Sequence, residues 1–187
     1  TRKGPAGTEN LNRLLQEALN PPKPGQPEVR WGDRVYRPGD RVMQTRNNYD
    51  VVWEKDDGAM GAGIFNGDVG VIQEIDPSGE LITIQFDDRT CVYTADLLNQ
   101  LDMAYAMTVH KAQGSEYRCV VLVSAAVAPA LMVRGVLYTA ITRARELLVL
   151  VGDDVAPGQM AANDRQQRRY SGLRRRLREE AANHGME

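Results

Sequence analysis

The sequence is poor in cysteine, in histidine and in long apolar runs, and each shortage excludes a class of protein. Its 187 residues include two cysteines and two histidines. Cys91 and Cys119 are too few and too far apart to suggest a disulfide scaffold or a CxxC metal site, so we expect two buried free thiols and no metal centre. No apolar run approaches the roughly 20 residues of a membrane helix, and the polar opening TRKGPAGTEN is not a secretory signal. We therefore expect a cytoplasmic protein without a membrane partner.

The chain also lacks the motifs with which a protein binds and hydrolyses ATP by itself. GxxxxGK[ST] is absent, and the glycine-rich stretches GPAGTEN and GAMGAGIFNGD have no lysine at the required place, so we interpret both as loops. No acidic pair ends an apolar strand in a form that resembles a Mg²⁺ site, and Asp153 and Asp154 are interpreted as loop residues. Because the opening is abrupt and has no initiator Met, we expect a fragment of a longer chain.

The charge of the chain is nearly balanced, with a formal net charge of -2. This value argues against a wholly basic nucleic-acid-binding protein, although local distribution can matter more than the total. Residues 161–187 hold seven arginines against four acidic residues, whereas residues 50–102 are acid-rich.

The first part of the chain predicts a helix, a linker and a short strand. Thr8 is a candidate helix cap. The apolar residues that follow it have the spacing of one buried helical face, and they are Leu11, Leu14, Leu15, Ala18 and Leu19. The prolines of NPPKPGQPE end this helix. GDRVMQTRN is interpreted as a short strand, and the glycines of DDGAMGAGIFNGD predict a flexible crossing.

From Asp68 onward, short alternating runs predict a small antiparallel barrel. VGVIQEI, LITIQF and TCVYT are separated by the turn signals DPSGE and DDR. The spacing suggests about 35 to 40 residues. Because so small a barrel seldom folds without support, we interpret it as an insertion packed on a larger body.

Beyond residue 100 the pattern changes to that of an α/β domain. LDMAYAM, RCVVLVSA and ELLVLVGD are predicted strands, the last two of them buried, and MVRGVLYTAITRAR is a predicted helix. Apolar runs that alternate with a helix imply parallel strands covered by helices. The tail from Ala161 is predicted to be a further helix.

Two places in this α/β region are candidates for chemistry. Thr108 and His110 follow a predicted strand, where backbone N–H groups and a hydroxyl can hold an anion such as phosphate. The alternative is a helix cap beside a surface histidine. Arg143 lies on the flank of the predicted helix and can stabilise charge on a transferring phosphoryl group, or it can be a solvated side chain or a salt-bridge partner.

Several motifs in the chain resemble a known family. TVHKAQGSEY is similar to motif V of the superfamily 1 DNA helicases, and LYTAITRARELLVLVGD is similar to their motif VI. RKGPAGTENLNRLLQEALNP resembles motif IV of the RecD-like branch of that superfamily. GDRVMQTRNNYD, followed by FNGDVGVI, resembles the strand of that branch that leads into a small SH3-like barrel, and RRYSGLRRRLRE resembles its arginine-rich end.

The resemblance implies an α/β fold, in which a RecA-like parallel sheet with flanking helices is interrupted by an SH3-like β-barrel insertion. It further implies the second motor domain of an ATP-dependent helicase that moves 5'-3' on DNA. The expected organisation is motor segment 1–60, barrel 61–100, motor segment 101–155 and basic C-terminal helix 156–187. The first motor domain of the same chain would hold most of the Mg²⁺ that accompanies ATP.

The resemblance also assigns roles to residues. Arg143 is similar to the motif VI arginine that reaches the γ-phosphate of ATP. Arg2 is similar to the motif IV arginine, which has a similar role. Gly114 and Glu116 match the part of motif V that touches nucleotide. The residues implied for DNA phosphate contact are Thr108, His110, Arg46, Asn47 and Asn48, while Lys111 is taken to face solvent.

The implied partners are single-stranded DNA and the N-terminal motor domain, with repair or recombination proteins as further candidates. A different class of function stays open beside this one. The chain can instead be a free-standing DNA-binding or protein-binding module without nucleotide chemistry.

Overall fold

The computed structural model describes residues 2–125, 128–165, 172, 175–178 and 180. The first helix, α1 (Thr8–Leu19), forms where the leucine spacing predicts it, but its N-cap is Gly7 and not Thr8. A Cβ atom at Gly7 would lie 2.5 Å from the carbonyl oxygen of Arg2, so the tight entry to the helix favours glycine.

The face of α1 that is buried is polar, which contradicts the predicted apolar face. Gln16 is buried within the helix and Asn20 directly after it, whereas Leu14 and Leu19 are exposed. Leu11, Leu15 and Leu19 line an open cleft. The helix therefore attaches to the rest of the molecule through amide side chains.

After α1 the chain forms a hairpin and then a seven-stranded antiparallel sheet. The hairpin consists of β1 (Val29–Trp31) and β2 (Arg34–Tyr36). The sheet strands are β3 (Arg41–Gln44), β4 (Asn48–Glu54), β5 (Met60–Ile64), β6 (Val69–Ile75), β7 (Leu81–Phe86), β8 (Arg89–Thr94) and β9 (Leu101–Met103). Their order is β5-β4-β8-β7-β6-β3-β9, and a 3-10 helix, Ala95–Gln100, leads into β9.

One apolar core lies within this sheet. Its fully buried side chains include Ile64, Ile72, Ile82, Ile84, Phe86, Tyr93, Leu98 and Leu101. Strands of the sheet also lie before and after residues 61–100, because the sheet begins at Arg41 and ends at Met103. In the part of the chain that the structure describes, β5 and β9 are the edges of the sheet and no closed barrel forms.

Two local expectations are wrong in this region. The glycine-rich stretch predicted as a flexible crossing contains β5, which pairs with β4. The segment LDMAYAM is a strand only at its start, and β9 pairs antiparallel with β3 instead of joining a parallel sheet. β5 forms because it pairs with β4, although its glycines have a low intrinsic preference for strands.

The rest of the chain forms a parallel strand pair with helices. β10 (Tyr117–Val123) pairs in parallel with β11 (Ala144–Val151), and α2 (Arg134–Ile141) connects them. α3 (Val155–Ala162) follows β11 and packs on α2. The predicted α/β class is thus confirmed, and the parallel pairing with it.

Burial on this pair is lower than predicted. Most side chains of β10 and β11 are exposed or half-buried, so the expectation of two buried strands is wrong. Cys119 on β10 is exposed, in contrast to the prediction, while Cys91 on β8 is buried. The buried apolar side chains that α2 and α3 contribute to this region are Leu137, Ala140, Ala156 and Met160.

The predicted helix of the basic tail falls largely on residues outside the described ranges. Residues 175–178 within it are helical. Of the helices in the described ranges, none has both the length and the apolar character needed to cross a membrane.

Candidate functional site

Thr108 begins a run of hydrogen-bonded turns that ends at Gly114, and we call residues 108–116 the 108–116 turn. The carbonyl oxygen of Thr108 accepts hydrogen bonds from the N–H groups of Lys111, at 3.0 Å, and Ala112, at 3.1 Å. Those two donors are therefore committed within the turn. Gly114 has φ +92°, a left-handed conformation that favours glycine where a helical turn stops.

The side chains at the start of this turn differ in exposure. Thr108 is half-buried, and its hydroxyl oxygen lies 3.4 Å from the backbone nitrogen of Lys111. His110 is exposed. Both line a cleft of about 710 Å³ together with Arg2 and Arg143.

Lys111 does not simply face solvent, because it forms an ion pair. Its Nζ donates to Oδ2 of Asp102 at 2.7 Å, and Arg34 of β2 contacts Oδ1 of the same carboxylate at 2.6 Å. Burial raises the pKa of Asp102, but the hydrogen bond from Lys111 and the charges of Arg34 and Lys111 outweigh it, so the pKa lies below its usual value. Asp102 thus joins the hairpin, β9 and the 108–116 turn.

Arg143 lies two residues after the end of α2, and the hydrogen-bond acceptors of its side chain are all neutral. Its Nε donates to the carbonyl oxygen of Thr139 at 3.0 Å, and its Nη2 to the hydroxyl of Thr142 at 3.1 Å. Nη1 donates to the carbonyl oxygen of Ser115 at 2.9 Å. Within the described residues no carboxylate forms an ion pair with this guanidinium.

The backbone of Arg143 is also joined to the start of β10, directly after the 108–116 turn. The N–H of Tyr117 donates to the carbonyl oxygen of Arg143 at 2.8 Å. Arg143 therefore binds the end of the turn through its side chain and the start of β10 through its backbone. Gly114 and Glu116 flank the Ser115 carbonyl that accepts the side-chain hydrogen bond.

Glu116 has a partner that the sequence patterns do not indicate. Its Oε2 accepts a hydrogen bond from Nε of Arg145 at 2.7 Å, and both side chains are exposed. Arg145 lies in β11 next to the residue that pairs with Tyr117. The parallel register of β10 and β11, which no sequence spacing reveals, brings the two together.

Arg2 is exposed and lies at the junction of two clefts. Its Nε is 3.5 Å from Oε1 of Glu9, an exposed pair that contributes little stability. Besides the first cleft it lines a second of about 750 Å³, in which Thr108, Lys111, Asp102 and Arg34 also lie. Four of the candidate residues, Arg2, Thr108, His110 and Arg143, therefore share one cleft.

Five candidates do not line this cleft: Gly114 and Glu116 belong to the 108–116 turn beside it, and Arg46, Asn47 and Asn48 lie elsewhere. Arg46 donates to Oδ1 of Asn99 at 2.8 Å, and Asn48 donates to Oε1 of Gln100 at 3.0 Å. These contacts are beside the start of β9, whereas the chain leaves the end of β9 toward Thr108. Arg46, Asn47 and Asn48 are therefore at the opposite end of β9 from the 108–116 turn.

A network of amide side chains on α1 fixes the segment before the turn. The side chain of Asn12 exchanges two hydrogen bonds with the backbone of Ala106, at 2.8 and 2.7 Å. The fully buried carboxylate of Asp40 accepts from Gln16, from Asn20 and from the hydroxyl of Tyr105, at 2.6 to 2.8 Å. The signal for this contact was present in the sequence, because amide residues recur at positions 12, 16 and 20, the spacing of one helical face.

Two family models match the chain in separate stretches. The model described as the ATP-dependent RecD-like DNA helicase SH3 domain covers residues 11–86. The model described as the UvrD-like helicase C-terminal domain covers residues 103–151. The first match confirms the predicted SH3-like character, and the second contains the 108–116 turn and Arg143.

Curated relatives match over almost the whole chain. The ATP-dependent RecD2 DNA helicase of Deinococcus radiodurans is 36% identical over 177 residues, which are 95% of this chain and 22% of the relative. The RecBCD enzyme subunit RecD of Mycolicibacterium smegmatis is 34% identical over 178 residues, 95% of this chain and 28% of the relative. The chain thus spans about a quarter of the length of these relatives.

Solved structures share the fold at low sequence identity. A crystal structure of Bacteroides Pif1 bound to single-stranded DNA has a TM-score of 0.53 and 16% identity, over 92% of this chain and 44% of that one. A structure of two coordinating Pif1 helicases at forked DNA has a TM-score of 0.51 and 17% identity, over 92% and 42%.

Proposed function

Because the chain belongs to the RecD-like superfamily 1 DNA helicases, we propose that it is the motor region that completes the ATP cleft of such an enzyme. In this proposal it is the second RecA-like domain of an ATP-dependent 5'-3' DNA helicase. The ATP cleft would lie between this region and a motor domain elsewhere in the same protein, and the chain alone would not hydrolyse ATP.

The observation that carries the proposal is the surroundings of Arg143. Its guanidinium has only neutral acceptors among the described residues and lines a cleft with a second cation, Arg2. A cation whose charge is not cancelled by a neighbouring carboxylate is suited to negative charge on a transferring phosphoryl group. In this proposal the γ-phosphate of ATP would lie beside Arg143, Gly114 and Glu116 would contact the nucleotide, and the first motor domain would hold most of the accompanying Mg²⁺.

Thr108 and His110 would contact the DNA phosphates. Arg46, Asn47 and Asn48 would form a second contact with the strand. Thr108 and His110 share a cleft with Arg143, and Arg143 holds the end of their turn through Ser115. A change in the position of Arg143 would therefore reach the DNA side through a few covalent and hydrogen bonds. Contacts to phosphate carry no base information, so binding should depend strongly on salt and weakly on sequence.

The partners of this region follow from the same proposal. Single-stranded DNA and the first motor domain would contact it directly, and proteins of DNA repair or recombination are candidates beyond them. Nucleotide-dependent closure of two motor lobes, each with its own DNA contact, would move the enzyme along the strand.

The experiment that tests the proposal is Arg143→Ala in the full-length helicase. We expect the DNA-stimulated ATPase rate to fall by roughly 10³- to 10⁵-fold, while the affinity for single-stranded DNA stays within a few-fold of the wild-type value. The rate is measured by phosphate release at saturating ATP and DNA.

Arg118→Ala is the matched control. Arg118 is an exposed arginine of β10 that pairs with Glu146, and it lies outside both clefts. Its loss should leave the ATPase rate unchanged. A near-normal rate in Arg143→Ala would remove the role proposed for Arg143.

A further inference from the structure

Two aromatic side chains form an exposed pair at one end of the antiparallel sheet. Tyr49 lies at the start of β4 with 67% of its surface exposed, and Phe65 follows β5 with 39% exposed. Their ring centroids are 5.6 Å apart and the ring planes meet at 74°. This edge-to-face geometry is a favourable one for aromatic rings, and we call the two residues the Tyr49–Phe65 pair.

Asn47 fixes the pair from the side. Its Nδ2 donates to the hydroxyl of Tyr49 at 3.3 Å, and its Oδ1 accepts from the N–H of Asn66 at 3.0 Å. One amide side chain thus joins the loop that carries Tyr49 to the turn that carries Phe65. Asn47 contacts Tyr49 at its hydroxyl and not at the faces of its ring, so this hydrogen bond does not block stacking on the ring.

The backbone beside Phe65 is also shaped for its ring. Gly63 has φ +106°, and a Cβ atom at this position would lie 3.0 Å from Cζ of Phe65. The N–H of Phe65 donates to Oδ2 of Asp68 at 3.1 Å. Both rings are therefore held in place before any partner binds, which lowers the entropy cost of binding.

The polar groups around the pair suit a nucleic-acid strand. Arg46, three residues before Tyr49, is exposed and contacts the neutral side chain of Asn99. The carboxylate of Asp68 is paired with Arg89 at 3.1 Å, so its charge is compensated. The segment that leads into Tyr49 thus carries amide side chains and, at Arg46, a cation that forms no ion pair with a carboxylate among the described residues.

We propose that the Tyr49–Phe65 pair is a base-stacking site for single-stranded DNA, with Arg46 on the adjacent phosphate. The inference rests on the proposed function, which supplies the strand. Fixed, exposed rings beside an arginine are the combination with which proteins bind single strands without reading their sequence, because every base has a π-face. The site would hold bases, whereas the 108–116 turn would hold phosphates.

The experiment uses the full-length protein and two fluorescent oligonucleotides of equal length, oligo-dT and its abasic counterpart. The abasic strand keeps the phosphates and lacks the bases. Tyr49→Ala and Phe65→Ala should each weaken oligo-dT binding by roughly 5- to 100-fold in fluorescence anisotropy, and should change binding to the abasic strand by less than about two-fold.

Conservative and distant variants separate stacking from misfolding. Tyr49→Phe and Phe65→Tyr keep the ring and should lose much less oligo-dT affinity than the alanine variants, although Tyr49→Phe gives up the hydrogen bond from Asn47. Leu81→Ala removes an exposed apolar side chain from β7 in the same sheet and should also bind normally.

The outcomes distinguish this inference from the proposed function. Failure of the wild-type protein to bind either strand would refute the proposed function itself. Normal wild-type binding with unchanged affinity in both alanine variants would overturn the base-stacking site alone. Equal losses on both strands, or loss only of a bound protein partner, would overturn it as well, because stacking requires a loss confined to the strand that has bases.

Discussion

The antiparallel sheet and the parallel strand pair differ in how well they are covered. In the sheet, Ile72, Ile84 and Tyr93 have no exposed surface. In the parallel pair, Leu147 and Leu150 of β11 are 54% and 51% exposed, although both regions have similarly apolar strands. Apolar sequence alone therefore does not decide burial, since burial requires a second layer to pack against.

The difference bears on the proposed function, because Arg143 and the 108–116 turn belong to the less covered region. Local stability follows the density of buried contacts, so the segments around β10 and β11 should open more easily than the sheet. The movement that the proposed function requires would lie in this region, beside the better-covered sheet.

Cysteine labelling gives the largest contrast between the two regions. Burial raises the pKa of Cys91 in the sheet to about 12, and Cys119 on β10 is exposed. Because the thiolate is the reactive form, iodoacetamide should modify Cys119 at once and Cys91 only when the sheet unfolds. With the free energy of unfolding of a marginally stable domain, ~5 kcal/mol, Cys91 should react more than about 10³-fold more slowly in the folded chain than in the unfolded chain.

The labelling is followed by mass spectrometry of the two cysteine-containing peptides of the 187-residue chain. Both cysteines should react at comparable rates in concentrated urea, which is the control for intrinsic accessibility. Rapid modification of Cys91 in the native chain would mean that the sheet is as open as the parallel pair.

Core truncation gives the next largest effect. Ile84→Ala removes methyl groups from a fully buried position, so we expect the free energy of unfolding to fall by about 2 to 5 kcal/mol. Leu150→Ala, the matched variant in β11, should lower it by less than about 1 kcal/mol, because much of its side chain is exposed. Urea unfolding of the 187-residue chain measures both values.

The same two variants can also contradict the conclusion that the sheet is better covered than the parallel pair. A loss from Leu150→Ala as large as that from Ile84→Ala would show that β11 is covered in solution. The difference in exposure between the two regions would then not describe their stability.

Much of the fold could be predicted because its signals are local. The leucine spacing predicted α1, the alternating runs predicted β6, β7 and β8, and the two apolar runs predicted β10 and β11. The pairing of β5 with the preceding strand β4 was missed because its glycines do not favour a strand. The antiparallel placement of β9 was missed because its partner, β3, is distant in sequence. The polar buried face of α1 was missed because its partner, Asp40, lies beyond the linker.

The candidate site could be predicted as a set of residues but not as a geometry. Motif order placed Thr108, His110 and Arg143 in one region, and they line one cleft. Nothing in the sequence indicated that Arg143 binds the carbonyl of Ser115, or that Arg145 pairs with Glu116. These contacts arise from the register of β10 and β11, which three-dimensional packing sets. The individual roles of the site residues stay predictions.

The smallest expected effect concerns Asp102, which joins the two regions. Its carboxylate in β9 holds Lys111 of the 108–116 turn and Arg34 of the hairpin, and its pKa in the folded protein is lowered. A lowered pKa means that the carboxylate stabilises the fold above the ordinary carboxyl pKa of about 4, and that this contribution is lost as the pH falls through the lower folded value. Asp102→Asn should therefore cost about 1 kcal/mol at neutral pH.

The difference in unfolding free energy between wild type and Asp102→Asn should shrink as the pH falls from neutral to about 3, because protonation removes the charge that the variant already lacks. Urea unfolding across this range measures it, with Glu74→Gln, at an exposed carboxylate of β6, as the control that should show no such convergence. A difference that stays constant with pH would mean that Asp102 joins the sheet to the turn through hydrogen-bond geometry and not through charge.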